Sequence, residues 1–95
     1  MAFNVVAVQE TPNPNAKKIL LDRAISDVPL SFRTEEAASK NPLAQRLMSI
    51  PGVVGLLMLH DFVTISKSSE ARWADISRKA RRILAEDQTV RGNNT

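Results

Sequence analysis

The stretch from Trp73 to Leu84 constrains this chain more than any other. Wound at helical pitch, Trp73, Ile76, Ala80, Ile83 and Leu84 gather within about 100° of arc, the width of a stripe that faces a core. Asp75 with Lys79 and Arg82 with Glu86 fall four residues apart on the outer side, a spacing worth about 0.3 kcal/mol per ion pair. Ser68 or Ser69 is placed to cap such a helix near Glu70. If the stripe is wholly enclosed, Trp73→Ala should cost about 3–5 kcal/mol. A one-sided helix must cover another layer, and the remaining chain has to supply it.

The upstream segments read mostly as strands. Phe3 to Val8 is short, rich in valine and followed by turn residues, and Lys17 to Leu21 predicts a second strand. Leu30-Ser31-Phe32-Arg33 alternates apolar and polar after Pro29, as a short edge strand does. Val53 to Leu59 is almost wholly apolar and Phe62 to Ser66 alternates, so the pair predicts a hairpin turning at His60-Asp61. Without a glycine to supply a positive φ, that loop is expected to run one residue longer at each end. Thr34 before Glu35-Glu36 predicts a short helix with a hydroxyl cap. Asn41-Pro42 predicts another, with Leu43, Leu47 and Ile50 on one face and Pro51-Gly52 as its end. The expected fold is α+β: a two-layer sandwich, a mainly antiparallel sheet of about four strands with helices on one face. Residues 1–90 read as a single domain and residues 91–95 as a flexible polar tail.

Composition removes whole classes of chemistry. The chain contains no cysteine, which excludes disulfides, thiolate metal sites and cysteine-ligated iron–sulfur clusters, and its single histidine excludes a multi-histidine zinc site. A carboxylate-only metal site is left open by composition, but the acidic residues are scattered along the chain, so no cofactor and no metal ligand set is expected. The opening residues lack the basic flank and apolar run of a secretory signal, and no segment reaches the roughly 20 apolar residues that span a bilayer. The expectation is a cytoplasmic protein without a membrane role. A formal net charge of +3 permits an acidic partner or nucleic acid without requiring either.

Few residues invite a functional reading. His60 and Asp61 are the only place to imagine general acid–base work, but they sit in a turn with no nucleophile beside them, and a solvated turn is the favoured reading. No catalytic residues are assigned, and the chain is not expected to be an enzyme. Arg78, Arg81 and Arg82 on the last helix, with Arg72 and Lys79 at the margins, form a basic face that would suit phosphates or an acidic partner, although a solvated face with interspersed acids is the favoured reading. Interspersed acids and the scarcity of aromatic residues for base stacking argue against nucleic acid there, leaving it as the alternative reading. The loop Thr11-Pro12-Asn13-Pro14-Asn15 is more informative. Its two prolines fix φ and push Thr11 and Asn13 toward extended geometry, so Asn13 and Asn15 are pre-ordered, either to meet a partner or to cap local backbone.

The same loop carries a resemblance. Gln9-Glu10-Thr11-Pro12-Asn13-Pro14-Asn15-Ala16-Lys17 resembles the opening motif of the Nfu/NifU-type N-terminal domain. Phe32 to Ala38, Asn41 to Leu47, Ile50-Pro51-Gly52-Val53, Asp61 to Lys67 and the position of Trp73 are similar to that family in the same order. Ile19, where phenylalanine is common, and Met58-Leu59-His60 depart from it. The resemblance covers most of Val8 to Leu84. It implies a scaffold-related role in iron–sulfur cluster assembly, in which a second domain with a Cys-x-x-Cys pair holds the cluster. This chain has no such pair, so the resemblance implies a free-standing accessory module that binds protein partners, either assembly or recipient proteins, and does not itself carry a cluster. The family supplies no functional residues for this domain. The docking residues expected here are Thr11, Asn13 and Asn15, with Arg46 taken as their neighbour. Oligomeric state is left open.

Overall fold

The computed structural model describes residues 3–86. The elements run β1 (Val5–Glu10), β2 (Ala16–Leu21), β3 (Ser26–Phe32), α1 (Pro42–Met48), β4 (Val53–His60), β5 (Phe62–Lys67) and α2 (Trp73–Glu86). The strands form one antiparallel sheet in the order β1-β2-β5-β4-β3. It has five strands where about four were expected, because the edge strand begins at Ser26 and pairs with β4 on both sides of an irregularity. The expected tail, residues 91–95, lies outside the described residues.

Alternation sorts the side chains between the two faces. Ile19, Val63, Met58 and Leu30 lie opposite one another across four strands, and Ile65, Leu56 and Phe32 form a second row on the same face. Both helices cover that face: Leu43, Ala44 and Leu47 from α1 and Ile76, Ala80 and Leu84 from α2 are buried over it. Phe3, expected to open a strand, instead enters the core, where its N–H donates to the Leu84 carbonyl at 3.0 Å.

The predicted helix after Thr34 does not form. The Thr34 hydroxyl does accept the Ala37 N–H at 2.9 Å, but residues 35–40 stay in successive turns whose hydrogen bonds span three residues. Pro42 forces Asn41 into extended geometry (φ −124°, ψ 98°), so six residues are too few to propagate a helix before it must stop. Asn41 then caps α1 as expected, accepting the Ala44 N–H at 3.1 Å ahead of Pro42.

Two boundaries shift for reasons of packing. The β4–β5 turn is tight, with Leu59 opposite Phe62, because His60 itself adopts φ 53°. That is a region histidine visits more readily than most side chains. Helix α2 starts at Trp73, later than Glu70, because Ser68 to Ala71 form a connecting turn. The Ser68 N–H in that turn donates to the Gly52 carbonyl at 2.8 Å.

Candidate functional site

The Thr11–Asn15 loop is held from three directions. Within the loop, the Thr11 hydroxyl lies 2.9 Å from both the Asn13 and Ala16 carbonyls, and Asn13 Oδ1 accepts the Asn15 N–H at 2.9 Å. From β5, Lys67 donates its backbone N–H to the Asn15 carbonyl at 2.8 Å and its Nζ to Asn15 Oδ1 at 3.1 Å. From α2, Trp73 Nε1 donates to the Pro14 carbonyl at 3.2 Å. The side-chain oxygens of both asparagines thus serve the loop itself. Pro12, Asn13 and Pro14 remain exposed at its tip, backed by a rigid frame.

Trp73 is the hinge of this arrangement, and it is not where the helical stripe alone put it. The ring is half-buried at the border of the core, and the fully enclosed stripe is Ile76, Ala80 and Leu84. Lys17 Nζ lies 5.3 Å and Lys67 Nζ 5.6 Å from the indole centroid, so two ammonium groups rest against one aromatic ring. Register explains the placement: Lys17 lies opposite Ile65 and Lys67 opposite Val53, which puts both lysines on the helix-covered face at its edge. Lys17 also pairs with Glu10 at 3.2 Å. Sequence reasoning found the loop but missed Lys67 and Trp73 as its supports, since Lys67 meets it through strand pairing and Trp73 through the packing of α2.

Arg46 is not a neighbour of the loop. It lies on α1 and donates from Nη2 to Glu86 Oε1 at 3.0 Å, at the far end of α2 from Trp73, about 20 Å along that helix at 1.5 Å per residue. Glu86 also meets Arg82 at 3.4 Å, as its spacing predicted. The hydrogen bond from Arg46, with further help from Arg82, holds the Glu86 carboxyl below its ordinary pKa. Asp75 pairs with Arg78 at 3.3 Å instead of with Lys79. The basic face of the last helix is thereby divided: Arg78 and Arg82 are each engaged with a carboxylate, while Arg81 has no ion-pair partner among the described residues. His60 and Asp61 stand in the exposed tip of the β4–β5 turn.

The face of the sheet that neither helix covers presents half-buried Leu20, Leu57, Leu59 and Phe62, with the Lys18 ammonium 4.2 Å from the Phe62 centroid. No three His, Cys, Asp or Glu side chains gather as a metal site among the described residues, and the chain offers no thiolate, so its donor set does not fit a cysteine-ligated cluster. Among the described residues no helix is long and apolar enough to cross a membrane.

Comparison with known proteins adds the relationship. The family model described as scaffold protein Nfu/NifU N terminal matches residues 6–90. The human NFU1 iron-sulfur cluster scaffold homolog, named as mitochondrial, is 35% identical over 69 residues, covering 72% of this chain and 27% of that protein. A NifU-like protein of Schizosaccharomyces pombe is 32% identical over 81 residues, covering 82% of this chain and 31% of that protein. The chain therefore spans about a quarter to a third of these relatives. The solution structure of a NifU-like protein from Saccharomyces cerevisiae superposes with a TM-score of 0.78 at 25% identity, covering 90% of this chain and 77% of that one. A crystal structure of a Staphylococcus aureus protein shares the fold at a TM-score of 0.74 and 21% identity, covering 84% of this chain and 96% of that one.

Proposed function

The chain belongs to the family of scaffold protein Nfu/NifU N-terminal domains, and on that premise we propose that it is a non-enzymatic docking module of iron–sulfur cluster assembly. It binds assembly or recipient proteins and leaves the cluster to a cysteine-bearing partner. The observation that supports this most is the Thr11–Asn15 loop. Its oxygens are spent on holding its own shape, while the exposed Pro12-Asn13-Pro14 tip and the Asn13 Nδ2 donor are left toward solvent. A tip ordered in advance loses little entropy on binding, which is how a small surface gains affinity. The absence of cysteine supports the second half of the reading, since thiolates are the usual cluster ligands. Nucleic-acid binding through Arg78, Arg81 and Arg82 stands lower, because two of those three charges already meet carboxylates. A cytoplasmic site of action belongs to the proposal too; subcellular fractionation that recovers the protein with mitochondria would relocate it to the compartment named for the human relative.

Pull-down from a lysate compares wild type with Asn13→Asp and with the Asn13→Ala/Asn15→Ala pair. Asn13→Asp keeps the acceptor that orders the loop and turns the outward donor into a negatively charged acceptor. The expected result is several-fold lower recovery of cluster-assembly or cluster-receiving proteins with both variants. Equal recovery from all three removes the loop from the docking surface. Anaerobic incubation with iron and sulfide should leave the purified protein without cluster absorption, and a stoichiometric cluster would end the cluster-free reading.

A further inference from the structure

A second surface is built on the other flank of α2. Two clefts, of about 570 Å³ and about 350 Å³, share Ile50, Pro51 and Lys79 and so form one groove along the helix. Its walls are the end of α1 and the α1–β4 turn on one side, and the β5–α2 connection and α2 on the other. At 100° per residue, Asp75, Lys79, Ile83 and Glu86 fall within about 80° of one another on that helix, well round from Trp73, and Arg72 immediately precedes its first turn. The groove is therefore distinct from the Thr11–Asn15 loop, and neither proposal depends on the other.

Its chemistry is specific. Among the described residues, Arg46, Arg72, Arg78, Lys79 and Arg82 line the two clefts with three carboxylates, Glu70, Asp75 and Glu86. Asp75 is taken by Arg78, and Glu86 lies between Arg46 and Arg82. Arg72 and Lys79 have no ion-pair partner among the described residues, and Lys79 stands where the two clefts meet. Exposed Pro51 and half-buried Ile83 give the groove an apolar lining between these charges. No aromatic ring lines either cleft, so a nucleic-acid base has nothing to stack on, whereas an apolar side chain has Pro51 and Ile83. We propose that this groove receives an acidic peptide segment of a protein partner, with an apolar side chain seated on Pro51 and Ile83 and flanking carboxylates reaching Lys79 and Arg72.

The probe is a fluorescein-labelled twelve-residue peptide of glutamate and leucine, followed by anisotropy and by backbone amide shifts. Comparison ligands are the same peptide with serine in place of leucine, and a single-stranded DNA 12-mer. The expectation is saturable binding with shifts confined to the end of α1, the α1–β4 turn, the β5–α2 connection and α2. The serine peptide and the DNA should each bind at least tenfold more weakly. Arg72→Glu/Lys79→Glu should weaken the leucine peptide at least tenfold while leaving the amide spectrum otherwise folded, and Arg81→Glu, outside the groove, should change it less than twofold. The Asn13→Ala/Asn15→Ala pair should leave it unchanged, which separates failure here from failure of the loop. Shifts centred elsewhere, DNA binding as tight as the peptide's, indifference to the charge reversals or no saturable binding would each overturn the proposal.

Discussion

Trp73 shows how a single residue serves two layers. Its ring borders the core while its indole N–H reaches a loop 59 positions earlier in the chain. Because the ring is half-buried, Trp73→Ala should cost about 2 kcal/mol, less than the roughly 3–5 kcal/mol of a fully enclosed ring. Urea unfolding measures this directly, and a cost of 4 kcal/mol or more would return the ring to the core. Trp73→Phe keeps a ring at the core border but trims the indole and removes the N–H to Pro14, so it should cost about 1 kcal/mol, within the roughly 0.5–1.5 kcal/mol of a net hydrogen bond and less than Trp73→Ala. The helical periodicity identified Trp73 as stripe-forming. It could not show that the first turn of α2 overhangs the sheet edge, where two lysines and a loop carbonyl are the available neighbours.

Among the elements, the junction of the α1–β4 turn with the approach to α2 is the least tolerant. Gly52 adopts φ 95°, which side chains avoid, and a Cβ there would stand 2.5 Å from the Ala71 Cβ. Backbone strain of about 1–2 kcal/mol and overpacking of about 1–3 kcal/mol predict that Gly52→Ala costs about 2–5 kcal/mol. Adding Ala71→Gly should restore the steric part and leave the conformational part, a split that thermal unfolding of the single and double variants resolves. Equal stability of single and double variants would mean that the close approach to Ala71 contributes nothing. The Pro51-Gly52 stop was legible as turn chemistry. The later start of α2 was not, because Ser68 to Ala71 have adequate helical capping locally and are claimed by Gly52 only in three dimensions.

At the scale of the whole molecule, both ends of the described chain are fastened by carboxylates. Asn4 donates its backbone N–H and its Nδ2 to the two oxygens of Asp22, each at 3.0 Å, joining the start of β1 to the end of β2. Those bonds, the backbone one foremost, lower the Asp22 pKa from its ordinary 3.8, while the Arg46 hydrogen bond lowers that of Glu86 from 4.5. A carboxyl with a lower pKa folded than unfolded stabilises above its unfolded pKa, and that contribution disappears as pH falls through the folded value. Stability is therefore expected to hold down to the ordinary carboxylate range and to decline below it. Asn4→Ala/Arg46→Ala should differ most from wild type near neutral pH and least in strong acid. Denaturation midpoints across that range check this, and a difference between the two proteins that does not shrink on acidification would mean the pairs are not responsible.

The sequence by itself determined the class of fold, the hairpin, the Asn41-Pro42 helix start and the order of the elements apart from the helix expected after Thr34. Each of these rests on periodicity or on the backbone limits of one or two residues, and the TM-score of 0.78 against a NifU-like structure agrees with that reading. It also determined what chemistry is absent, because a chain without cysteine has no thiolate to offer. The Thr11–Asn15 loop was legible as stiff, since proline acts on its immediate neighbours. Only the tertiary structure decided that Lys67 and Trp73 hold that loop, that Arg46 belongs to the opposite end of α2 with Glu86, and that Arg72 and Lys79 are left over in a groove. These are consequences of strand register and helix packing. Both bring together residues far apart in sequence, at separations over which local propensity carries no information.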